Sequence, residues 1–80
     1  MMGKVDTAAL ILELASEEIS PEILQDKMEL ASKTLDEHLK MLESKGLLDV
    51  SDKSVITTRR GAKFLELYKS IHQKYLTVST

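Results

Sequence analysis

The sequence predicts a mainly α domain with one small β-hairpin, in the order α-α-α-β-β-α. Residues 32–47, SKTLDEHLKMLESKGL, set leucines at helical spacing and stop at a glycine. Residues 47–50 and 55–57 are apolar or β-branched and flank the turn-forming SDKS. Thr58 then opens a long amphipathic stretch, TRRGAKFLELYKSIHQKYL.

A first helix is expected over residues 6–15, with Asp6 or Thr7 as N-cap. Ala8, Ala9, Leu10, Ile11, Leu12, Leu14 and Ala15 are apolar on nearly every side of it. A helix apolar all round is buried all round, so this should be the central element. The second helix begins at Ser20, a good N-cap, with Pro21 at the first helical position where its missing N–H costs nothing. Ile19 and Leu24 hold the two positions of a hydrophobic staple. The helix runs to about Glu29, with Ile23, Leu24, Lys27 and Met28 along one side, and Leu30 and Ala31 make a tight turn.

Ser32 is the expected N-cap of a third helix over residues 33–45, whose inward stripe is Leu35, Leu39 and Leu42, with Met41 at the margin. Gly46 suits the left-handed position after the C-cap, and Leu47 can then close a Schellman motif. The two strands are too small to stand alone and must pack on the helices. A fourth helix, capped by Thr58, is expected over residues 58–76, followed by a frayed tail at 77–80. Phe64, Leu65, Leu67, Tyr68, Ile71, His72, Tyr75 and Leu76 fill about half its circumference at roughly 100° per residue.

Eighty residues make a single domain, residues 1–80, with the first three helices and the hairpin at 5–57. A chain of this size buries only about 60–65% of its unfolded surface, so its core is marginal without reinforcement. There is no cysteine, which leaves oligomerisation as the reinforcement. No signal-peptide pattern opens the chain, and the apolar run at 8–12 is too short to span a bilayer. A cytoplasmic protein with no membrane partner is expected. The net charge of −2 is uneven: residues 1–30 hold two lysines against seven acids, and residues 31–80 hold nine basic residues against six acids. A basic face on an acidic protein is therefore allowed.

Two motifs carry a resemblance. Residues 38–48, HLKMLESKGLL, and residues 58–65, TRRGAKFL, resemble the archaeal winged helix-turn-helix transcription regulators and their viral and plasmid relatives, over residues 7–76. The resemblance implies a winged helix-turn-helix fold with a long C-terminal dimerisation helix. It also implies a DNA-binding transcription regulator, with the third helix in the major groove and the wing (47–57) on the backbone or minor groove.

The candidate DNA-binding residues are Ser32, Lys33, Thr34, Asp36, Glu37, Lys40, Lys53, Arg59 and Arg60. Those on the third helix face away from its leucine stripe; the alternative reading is a solvated face, with Asp36 and Glu37 favouring the positive helix start. Where the family usually has small, polar or basic groups, Asp36 and Glu37 repel phosphates, although glutamate can accept from a cytosine amino group. Arg59 and Arg60 oppose the dipole of the fourth helix by about 0.3–1 kcal/mol each, which invites a phosphate-binding role. Their alternative is a surface ion pair with Asp49 or Asp52. The candidate dimer interface is Leu67, Tyr68, Ile71, His72, Tyr75 and Leu76: Phe64, Leu65 and Tyr68 can cover the first helix, and the rest want a partner. His38 is expected beside the wing. His38 and His72 belong to no ligand cluster, and no nucleophile–base pair or phosphate cradle is present, so no metal, cofactor or enzyme activity is expected. The alternative function is a winged-helix protein-interaction module without DNA binding.

Overall fold

The computed structural model describes residues 3–78, with side chains from Gly3 to Ile71. Its elements are α1 (Lys4–Leu14), α2 (Pro21–Met28), α3 (Ser32–Ser44), β1 (Leu48–Val50), β2 (Val55–Thr57) and α4 (Arg59–Val78), in the expected order.

α1 is the centre of the fold. Ala8, Ala9, Ile11, Leu12 and Ala15 are all at most 5% exposed, and α1 touches α2, α4 and β2. It starts two residues earlier than expected. Asp6 is not the cap; from the third helical position it reaches back to accept the Gly3 N–H at 3.2 Å, making Gly3 the N-cap. α2 begins as its sequence dictates: Ser20 Oγ accepts the Ile23 N–H at 3.2 Å, Pro21 is the first helical residue, and Leu24 is fully buried. Ile23, placed along the same side as Leu24, is 52% exposed. The turn into α3 is made by Glu29 in the left-handed region at φ 55°, with Leu30 and Ala31 extending from it.

Leu35, Leu39 and Leu42 are the buried stripe of α3, and Met41 packs at its margin. Ser32 does not cap this helix. Ala31 holds the N-cap position with extended backbone and no side-chain bond, so Ser32 is the first helical residue. At the other end Gly46 has φ 74°, where a side chain is strained. The Gly46 N–H donates to Glu43 O at 2.9 Å and the Leu47 N–H to Leu42 O at 3.0 Å, a complete Schellman closure.

The hairpin pairs Leu48 with Thr57, Asp49 with Ile56 and Val50 with Val55, so Leu48 and Val55 face the core. Ser51 and Ser54 close its turn through backbone and hydroxyl bonds. Val55 and Ile19 exchange both backbone bonds (2.7 and 3.0 Å), giving the ribbon a third segment ahead of α2. Thr57 then takes up the end of α1, its N–H donating to Ala15 O and its hydroxyl to Leu12 O, at 2.8 and 2.6 Å.

Thr58 caps α4 as expected, its Oγ1 accepting the Gly61 N–H at 3.1 Å. The same hydroxyl donates to Gly46 O at 2.7 Å, and the Thr58 N–H donates to Leu47 O at 3.1 Å. Gly61 lies directly on that strand of backbone. A Cβ there would overlap the Leu47 carbonyl oxygen and stand 2.8 Å from Thr57 Cγ2. Beyond this junction Leu65 is buried, and Phe64 and Tyr68 pack on the core. The Tyr68 hydroxyl donates to Asp6, and Lys69 Nζ pairs with Glu13 at 2.9 Å, fastening α4 across α1. α4 reaches Val78, so Thr77 and Val78 continue the helix instead of fraying; Ser79 and Thr80 lie outside the described residues.

Gly61→Ala is expected to destabilise the fold by about 3 kcal/mol, because the obstacle is backbone and cannot swing aside. Ala62→Gly, at the exposed neighbour, is expected to cost only about 0.5–1 kcal/mol. Urea unfolding at unchanged slope measures both; equal midpoints for the two variants would mean that α4 does not rest on Leu47.

Candidate nucleic-acid interface

α3 is buried along one stripe and open along the rest. Ser32, Lys33, Thr34, Asp36, Glu37 and Lys40 are all exposed. At 3.6 residues per turn Lys33, Glu37, Lys40 and Ser44 stand directly opposite the leucines, and Asp36 and Thr34 flank them on either side. The uncapped start of α3 leaves its first backbone N–H groups open, an arrangement that favours anions. His38 occupies the border of the buried stripe rather than a free face. It is partly buried, and its Nδ1 is turned inward with no hydrogen-bond partner.

The wing is short. Its tip residues Asp52 and Lys53 line a shallow groove with Ser20, Pro21 and Glu22, which sets the wing beside the start of α2. Arg59 and Arg60 are exposed on the first turn of α4. Arg60 lies over the end of α3: a Cβ built on Gly46 would be 3.4 Å from its Nη1. There the guanidinium is close to the negative end of the α3 dipole. Among the described residues the one ion pair is Lys69–Glu13, so neither arginine is paired with Asp49 or Asp52.

The structure divides the charge more finely than the sequence did. α3 with its C-cap Lys45 carries three lysines and three acids, and residues 48–57 carry one lysine and two aspartates. α4 carries five basic residues and one glutamate. The positive half of the chain is therefore α4, while α3 is balanced and the wing is slightly acidic.

Of the candidate dimer residues, Leu67 (66%) and Ile71 (55%) are exposed. Tyr68 is engaged inside the protomer with Asp6, a bond that raises its phenol above the ordinary value, with desolvation and the Asp6 charge acting the same way. The side chains of His72, Tyr75 and Leu76 lie outside the described residues. The Asp6–Tyr68 bond and the approach of Arg60 to Gly46 had no signal in the sequence, since each joins residues far apart in the chain. Among the described residues no group of three His, Asp or Glu could hold a metal ion, and no helix is long and apolar enough to cross a membrane.

Among curated proteins none matches the chain. A family model described as winged helix-turn-helix matches residues 3–75. That span takes in all three N-terminal helices, the hairpin and most of α4, and with this architecture the chain belongs to the winged helix-turn-helix family.

Proposed function

We propose that this protein is a cytoplasmic DNA-binding transcription regulator that acts as a homodimer, with α3 in the major groove and the wing on the backbone or minor groove. The observation that carries the reading is the exposed, uncapped start of α3, where Ser32, Lys33 and Thr34 surround open backbone N–H groups. α3 is roughly 20 Å long, more than the roughly 12 Å width of the major groove, so its two ends approach opposite phosphate walls. Lys33 serves one end, and Arg60, beside Gly46, serves the other. The dimer reading rests on Leu67 and Ile71, large apolar side chains left uncovered on α4. Buried against a second α4, each contributes about 1.5–3 kcal/mol, which a domain of this size lacks elsewhere.

The balanced charge of α3 and the acidic wing favour a second reading, a protein-interaction module that uses Asp36 and Glu37 as a docking surface. The two readings part on how those acids behave toward DNA.

Light scattering during gel filtration is expected to report twice 9.0 kDa, and Ile71→Glu to shift the species toward monomer; a wild-type monomer at tens of micromolar, on the order of ordinary homodimer working concentrations, would refute the dimer. On duplex DNA, Arg59→Ala with Arg60→Ala is expected to lower the salt slope of log K by roughly one unit for each phosphate that is no longer neutralised. Unchanged affinity and slope would leave these arginines a surface role only. Asp36→Gln with Glu37→Gln is expected to tighten binding to random-sequence duplex at fixed salt and to lower the ratio of specific to non-specific affinity. The protein-docking reading requires the reverse, loss of a partner with no gain on DNA.

A further inference from the structure

We propose that the groove between the start of α1, the end of α3 and Phe64 of α4 is a binding site for a small organic acid, a carboxylate on a short alkyl chain or a single ring. Its volume is about 220 Å³, with Ala8, Met41, Leu42, Leu47 and Phe64 as apolar floor and wall. Val5 stands on its lip, 58% exposed. The remaining lining residues are Lys4 and Lys45.

Charge sets this groove apart. On a chain with 13 acids and 11 lysines and arginines, three other grooves among the described residues are each lined by carboxylates: Asp6 and Glu13, then Glu22, Asp26 and Glu29, then Glu22 and Asp52. Here there is none. Neither lysine has an ion pair among the described residues. Lys4 is the first helical residue of α1, where a cation opposes the helix dipole and gains nothing locally. An apolar floor with two unpaired cations at its edge matches an anion with an apolar body, since each part of such a ligand meets its complement. The volume falls below the roughly 300–1,000 Å³ of sites for drug-sized ligands, which limits the occupant to a fragment. Met41, Leu42 and Lys45 belong to the end of α3, so the bound acid touches the back of the helix whose front is offered to DNA.

The test needs no DNA, so its failure leaves the regulator reading standing. The full chain, labelled with nitrogen-15, is titrated with hexanoate and, in parallel, with neutral hexanamide. Amide shifts are expected at Val5, Ala8, Met41 and Leu47, with hexanoate bound at least tenfold more tightly than hexanamide. Lys4→Gln with Lys45→Gln should weaken hexanoate at least tenfold and leave hexanamide unchanged; Val5→Asp, which sets a carboxylate on the lip, should do the same. Equal affinity for acid and amide, shifts gathered on Arg59, Arg60 and Lys63, or no binding would each overturn the proposal. So would groove shifts that follow protein concentration without ligand, because a second copy would then be the occupant.

Discussion

The contact on which the rest of the structure depends is the seating of Gly61 on the backbone of Leu47. A glycine with left-handed backbone, Gly46, ends α3 and turns the chain so that the Gly46 and Leu47 carbonyls face away from the helix. Thr58 takes up both, one with its hydroxyl and one with its N–H. The first turn of α4 can then lie against Leu47 only because Gly61 has no Cβ. Within this small patch the chain closes the base of the hairpin, sets the direction of α4 and delivers Leu65 to the core. The end of α3 and the beginning of α4 form one corner, so a partner that orients α4 also orients α3.

α1 receives the other side of this corner. Thr57 satisfies carbonyls at its C-terminal end, and Asp6 and Glu13 hold Tyr68 and Lys69 of α4 across its length. Asp6 serves two elements at once, capping the start of α1 through Gly3 and receiving the Tyr68 hydroxyl. These bonds consume one flank of α4. The opposite flank keeps Leu67 and Ile71 uncovered, and the same helix carries five of the chain's eleven lysines and arginines against one glutamate. An apolar flank beside a basic one on a single helix is consistent with a helix that both pairs with its copy and lends its field to DNA.

The placement of charge also bears on specificity. In the proposed complex, a helix with equal numbers of cations and anions would gain little from phosphates in general, and its acids would penalise indiscriminate binding. On that proposal, affinity would depend on the ends of the helix, on the corner near Arg60 and on correct base contacts, rather than on a broad positive field.

Element order and type were legible because they rest on local chemistry. Ser20 with Pro21 started α2, Gly46 ended α3 and Thr58 capped α4, each through bonds made within a few residues. The leucine stripe of α3 was equally plain, since 3.6-residue periodicity needs no knowledge of what covers it. Helix starts were less legible wherever the nearest polar residue was not the cap: Asp6 capped from inside its helix, and Ala31 took the N-cap position of α3 in place of Ser32, without a side-chain bond. The exposure of Ile23 was hidden because an eight-residue helix buries a single side chain, Leu24, and periodicity alone cannot say how wide a face the rest of the fold will cover. The sequence by itself thus determined the kinds of element, their order and the apolar face of each, through propensity, capping and period. Only the tertiary structure decided which corner of backbone Gly61 would occupy, which acid Tyr68 would meet, where Arg60 would lie and which lysines would be left around an apolar groove. Those outcomes depend on distances between residues remote in the chain, and no local pattern encodes them.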